Sequence, residues 1–125
     1  MPKQVIRSDK APKPGGPYSQ GILAEKFLFV AGQVGTDPIT GKPPEGVTAQ
    51  TKQTLENLKA VVEAAGATLD DVVRVGVYLR DISDFAVMND VYRTYFTQNQ
   101  PARSTIQAGL AGQFLIEIDC IVLKP

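Results

Sequence analysis

Arg103 and Glu117 are the two charges that the sequence sets among apolar neighbours, and together they point to a chemistry. The first lies in Pro101-Ala102-Arg103-Ser104-Thr105-Ile106, the second in Leu115-Ile116-Glu117-Ile118-Asp119-Cys120-Ile121-Val122-Leu123. The longer segment alternates as a half-buried strand does, with Ile116, Ile118, Cys120 and Val122 on one side. Glu117 and Asp119 then share the other side with Leu115, Ile121 and Leu123, a mixture too apolar for an open solvent face. In the shorter segment the same rule groups Arg103, Thr105 and Gln107 against Ser104, Ile106 and Ala108. An arginine fork grips a small carboxylate, and a glutamate in partly apolar surroundings activates a water. A structural Arg–Glu ion pair would use the same residues without any substrate, so residue type alone leaves both readings open.

The remaining inventory limits what such a site can do. With 125 residues the chain makes one domain, burying about two thirds of the surface that its unfolded form exposes. Lys+Arg and Asp+Glu both number 13, and no basic cluster is present to neutralise a run of phosphates, so nucleic acid is not the expected partner. The N-terminus is polar (Lys3, Gln4, Arg7, Lys10) and no long apolar run occurs, so neither a signal peptide nor a membrane span is expected. A single cysteine excludes an internal disulfide and points to a reducing compartment, most simply the cytoplasm.

There is no histidine, which removes the commonest general base and the commonest metal ligand. Neither a metal nor a cofactor is expected. Cys120 falls on the aliphatic side of its strand and reads as a small buried hydrophobe. The nearest approach to a phosphate loop, Gly35 to Pro43, has one residue too many between its glycines. It also carries Pro43 where a magnesium-binding hydroxyl should stand, and reads as turns. Chemistry here must run on Arg, Glu, Asp, Tyr, hydroxyls, backbone amides and water.

Positioning those groups falls to eight elements. Residues 1–8 form a short edge strand, followed by a Pro/Gly-rich loop through Pro17. Tyr18–Ala24 and Phe27–Gly32 are strands joined by a Glu25-Lys26 turn, and Val34 to Gly46 is a loop ordered by turns. Leu55, Leu58, Val62 and Ala65 recur at helical spacing from Thr48 to Ala65, and Gly66 stops that helix. Val73–Leu79 alternates as a strand. Ser83 or Asp84 caps a second helix to Thr97, with Phe85, Met88, Tyr92, Tyr95 and Phe96 along its buried stripe. The order β-β-β-α-β-α-β-β predicts an α+β two-layer fold: a six-stranded mixed sheet with both helices on one face. Each helix joins two strands, which predicts right-handed crossovers and some parallel pairing. Arg103, Thr105, Glu117, Ile121 and Leu123 are expected on the uncovered face, buried against other copies of the chain.

Gly16-Pro17-Tyr18-Ser19-Gln20-Gly21, Ala31-Gly32-Gln33, Thr54-Leu55-Glu56-Asn57-Leu58-Lys59, Asp84-Phe85-Ala86 with Asn89, Pro101-Ala102-Arg103-Ser104 and Ile116-Glu117-Ile118 follow one another along the chain. In that combination, over nearly its whole length, the chain resembles the reactive intermediate deaminases, the Rid or YjgF family. The resemblance implies a chorismate-mutase-like fold, a homotrimer with sites at subunit interfaces, and small 2-imino and enamine carboxylic acids as substrates. It implies that 2-aminoacrylate, 2-iminopropanoate and 2-iminobutanoate, released by pyridoxal-phosphate dehydratases, are hydrolysed to 2-keto acids and ammonia.

By the same resemblance Arg103 clamps the substrate carboxylate and Glu117 orients the attacking water. Gly32 offers backbone to the ligand, Tyr18 stands at the mouth of the site, and Asn89 matches the family's helix asparagine. Thr105 stands where many members have cysteine, and is expected to replace it through its hydroxyl or backbone. The chain is also shorter than the family's pattern before Pro101 and between Thr105 and Ile116. A ribonuclease or translation inhibitor, and a non-catalytic carboxylate-binding or chaperone-like protein, remain the rival readings.

Overall fold

Alternation along the last strand decides which side of the sheet is dry. The structure is a computed structural model and describes residues 2–125. In it Ile116, Ile118 and Val122 are fully buried and Cys120 nearly so, while Glu117, Asp119 and Ile121 between them are half-buried. The strands are β1 (Gln4–Ile6), β2 (Gly21–Ala24), β3 (Phe27–Val34), β4 (Val72–Leu79), β5 (Ala102–Gln107) and β6 (Ile116–Leu123). The helices are α1 (Val47–Ala64), between β3 and β4, and α2 (Phe85–Tyr95), between β4 and β5. The element order is the predicted one, with short 3-10 turns added at Leu69–Asp71 and Ile82–Asp84. No helix is long and apolar enough to cross a membrane among the described residues.

One six-stranded sheet runs β1-β2-β3-β6-β4-β5, and its single parallel pair is β4 with β5. The last strand in sequence therefore lies in the middle, between β3 and β4. Both helices pack on one face. Leu55, Leu58, Val61 and Val62 of α1 and Met88 of α2 form a core with Ile116, Ile118 and Val122. Cys120 sits in that core, and burial pushes its thiol up, as expected of an inert cysteine.

Helix α1 also ties down the loops. Its buried Asn57 amide donates to the carbonyls of Val34 (2.9 Å) and Thr36 (2.8 Å), holding the end of β3. Gln50 donates to the Pro44 carbonyl (3.1 Å) and accepts from the Leu115 amide (2.9 Å), fixing the entry to β6. Gly66, at φ 83°, ends the helix: its amide reaches the Glu63 carbonyl and that of Ala67 reaches Val62.

Several expectations are corrected. β2 begins at Gly21 rather than Tyr18, because Gln20 spends its amide on the loop before it, bonding Ser8 and Pro12. Neither Ser83 nor Asp84 caps α2 through its side chain; the Asp81 carboxylate caps the preceding turn by accepting from the Ser83 amide (2.9 Å). Phe85 does not belong to the buried stripe: it is 43% exposed. Most consequentially, Arg103 and Thr105 lie on the helix-covered face. The parallel register pairs them with Val75 and Val77, both fully buried under the helices. Glu117, Ile121 and Leu123 do lie on the uncovered face, as expected.

That face is apolar. Val5, Ile22, Phe29 and Ile121 stand in one row across four strands, and Phe27 pairs with Leu123 beside it. Val5, Phe27, Phe29 and Leu123 are each at least 44% exposed in the single chain.

Candidate active site

Within one chain the candidate residues divide into two clusters on opposite faces of the sheet. The first is built round Glu117. The register of β3 with β6 shifts between Val30 and Gln33, so Ala31 and Gly32 bulge where the ladder would admit one residue. The Glu117 carboxylate lies over Gly32 in the space a side chain would fill; a Cβ there would come within 2.8 Å of Glu117 Cδ. Only glycine permits that approach. Tyr18 arrives on the loop that Gln20 pins, half exposed, with its hydroxyl accepting from the Gly15 amide (3.2 Å). Tyr18, Gly32 and Glu117 line one cavity of about 400 Å³ together with Lys13, Gln33 and Phe114.

The loop beyond this cavity is held by Arg80. Its guanidinium donates to the carbonyls of Leu110 (2.9 Å), Gly112 (2.9 Å) and Phe114 (2.7 Å). Short as it is, the segment between Thr105 and Ile116 is thereby shaped by three charge-assisted bonds.

Burial raises the Glu117 carboxyl above the ordinary range, and the Asp119 carboxylate on the same face adds to the effect. Asp119 in turn accepts from the Tyr78 hydroxyl (2.9 Å), and that bond is the main reason the Tyr78 phenol is raised. Gly76 leaves the room: a Cβ there would sit 2.9 Å from the Tyr78 oxygen. A carboxyl held up in this way exchanges a proton with a bound water nearer to neutral pH.

The second is a groove of about 280 Å³ between α2 and β5, lined by Asn89, Tyr92, Arg93, Gln100, Pro101 and Arg103. The Arg103 guanidinium carbon lies 4.6 Å from the centre of the Tyr92 ring and 5.7 Å from that of Phe85. Nη1 is 3.9 Å from the Met88 sulfur. No carboxylate meets it: among the described residues the one ion pair is Arg93 with Asp90. Asn89 flanks the groove, half-buried. Thr105 is half-buried further along β5, and its hydroxyl oxygen, like that of Tyr92, is buried without a hydrogen-bond partner. Burial raises the Tyr92 phenol, and the Arg103 charge opposes that rise.

Arg103, Asn89 and Thr105 are thus on one side of the sheet, and Glu117, Gly32 and Tyr18 on the other. An Arg103–Glu117 ion pair within one chain is excluded by that arrangement. A guanidinium that meets no carboxylate and spends only Nη1–H on a sulfur can bind a carboxylate, and a raised carboxyl in a cavity can manage a water. Sequence reasoning missed Arg80, Tyr78 and Gln50, whose polar atoms are spent on partners far along the chain, and took Asn57 only as part of a helix motif.

Comparison with known proteins places the chain in a family. The family described as Endoribonuclease L-PSP matches residues 8–124. A RutC family protein of Pyrococcus abyssi is 51% identical over 126 residues, covering 99% of each chain. The 2-iminobutanoate/2-iminopropanoate deaminase of Rattus norvegicus is 42% identical over 124 residues, covering 98% of this chain and 90% of its own. The crystal structure of E. coli TdcF with bound serine superposes with a TM-score of 0.93 at 36% identity, covering 98% of this chain and 99% of that one.

Proposed function

The chain belongs to the Rid/YjgF family, and on that premise we propose that it hydrolyses reactive 2-imino and enamine carboxylic acids to 2-keto acids and ammonia. The observation that carries the proposal is the division of the site. A carboxylate-binding guanidinium stands free on one face, and a raised carboxyl lies over Gly32 in a cavity on the other. A second copy of the chain brings its Glu117 cavity against the Arg103 groove of the first. Repeated round a ring, that heterologous contact gives one site per copy and covers the apolar sheet face. Relatives named 2-iminobutanoate/2-iminopropanoate deaminase support the substrate class.

The chemistry asks little of the protein. An enamine such as 2-aminoacrylate first takes a proton from solvent at its methylene carbon and gives one up from its nitrogen to become the imine. Arg103 fixes the carboxylate, with Asn89 beside it, while Glu117 receives a proton from a water as that water attacks the imine carbon. The tetrahedral adduct then expels ammonia: the proton held by Glu117 and the adduct's own hydroxyl proton pass to the nitrogen as the C–N bond breaks and the carbonyl forms. The imine is already electrophilic, so orientation and weak general-base help suffice.

Incubating the protein with a threonine or serine dehydratase, and following keto-acid appearance, tests the reading. Faster release of keto acid supports it, and an unchanged rate overturns it. Carboxylate binding without turnover would favour the non-catalytic alternative. RNA cleavage that survives loss of Arg103 would favour the ribonuclease that the family's description names; a chain without histidine and with balanced charge is poorly equipped for that chemistry. Assembly has its own test. Native mass spectrometry should find a species near three times the 13.5 kDa chain mass, and mainly monomer at micromolar concentration would remove the shared site.

A further inference from the structure

We propose that Phe85 and Tyr92 form an aromatic shelf that positions Arg103 for carboxylate binding, an inference that rests on the proposed role of Arg103. Phe85 is a large apolar side chain left 43% exposed at the start of α2, where core packing does not account for it. Its ring lies 5.7 Å from the Arg103 guanidinium, and the Tyr92 ring lies closer still, at 4.6 Å. The Met88 sulfur, 3.9 Å from Nη1, adds a polarizable contact.

This arrangement does for Arg103 what a carboxylate partner would do elsewhere, with a different result. A ring attracts the cation without taking its N–H donors as a carboxylate would, so beyond the Nη1–H that donates to the Met88 sulfur the guanidinium keeps donors unspent. A structural carboxylate would consume those donors, whereas the shelf leaves them for a ligand in the groove. It also limits the rotamers of a long side chain before binding, so less conformational freedom is lost when the carboxylate arrives. Tyr92 is buried and stacks on Phe96, with centroids 4.6 Å apart, so one side of the shelf is anchored in the core. Phe85 is the member that can be removed without opening that core. Both are positioning residues: they act through Arg103 and not on the substrate.

The test compares Phe85→Leu and Phe85→Tyr with the wild-type protein in three measurements. These are the melting temperature, the dissociation constant for 2-ketobutanoate as a stable carboxylate, and KM and kcat for imine generated in place. Arginine side-chain NMR reports separately on Arg103, whose N–H protons over a ring are shifted upfield. Phe85→Leu should weaken 2-ketobutanoate binding and raise KM by about two- to fivefold, with kcat changed less. It should leave the melting temperature unchanged and erase part of the upfield shift; Phe85→Tyr should restore both affinity and shift. Unchanged affinity in folded Phe85→Leu, with wild-type imine hydrolysis intact, overturns the shelf and leaves the deaminase reading standing. Weakened 2-ketobutanoate binding in a protein that hydrolyses no imine does the reverse. A wild-type protein that binds no carboxylate overturns both.

Discussion

Arg103→Ala is expected to lower kcat/KM for imine hydrolysis by about thirtyfold to several thousandfold, the cost of removing one partner from a desolvated charge pair of about 2–5 kcal/mol. The protein should nonetheless fold. Within the chain the guanidinium meets rings and a sulfur, not a carboxylate, and a partly exposed cation–π contact contributes only about 0.5–1 kcal/mol. Arg103→Lys should not rescue the loss, because an ammonium lacks the planar fork and stacks poorly. Steady-state kinetics with melting temperatures on the same preparations check this. Normal turnover in folded Arg103→Ala would remove the reason for assigning the chain this chemistry.

Glu117→Gln should act on kcat. It keeps the shape over Gly32 and abolishes the proton acceptor, a loss of about a hundredfold or more, with a smaller change in KM. Its effect on stability has a definite sign. Burial first, and Asp119 second, raise the Glu117 carboxyl. The folded protein therefore resists an ionisation that the unfolded chain accepts from about pH 4.3 upward, and that stability is lost as pH rises through the folded-state value. Replacing the carboxyl removes this cost. The variant should melt above wild type at pH 7, and the two should converge as the pH falls below about 4. If Glu117 were instead locked to an arginine of another copy as a structural pair, its carboxyl would be lowered in the assembly. Glu117→Gln would then destabilise at pH 7. Thermal melts across pH 3–8 separate a working carboxyl from a structural one.

The phase of β6 was legible because four apolar side chains alternate without interruption, and because a central strand obeys both neighbours. Helix α1 was legible for a similar reason, its Leu55–Leu58–Val62–Ala65 stripe ending at a glycine that adopts positive φ. β5 was not. Alternation says which of its residues share a side, but the dry side is chosen by the pairing with β4. Ile106, its one large aliphatic residue, points outward and is 51% exposed. Arg103 was therefore expected beside Glu117 when it stands behind it. Phe85 misled similarly: an aromatic at helical spacing from Met88 and Tyr92 reads as core, and nothing local reveals that an arginine from β5 takes its ring face. Ser83 and Asp84 were the expected caps of α2, and the 3-10 turn that intervenes puts the capping role on Asp81 instead.

The opposite placement of Arg103 and Glu117 also has a genetic consequence. Under the proposed pairing, no chain reads its own two residues into the same site; each lends its arginine to one neighbour and its glutamate to another. Two alleles, one lacking Arg103 and one lacking Glu117, would each be silent alone. Co-expressed and assembled at random in equal amounts, they would regenerate an intact junction at about a quarter of the contacts, wherever an arginine from one allele meets a glutamate from the other. Activity recovered from two inactive proteins, after mixing through unfolding and refolding, would locate the reaction between chains.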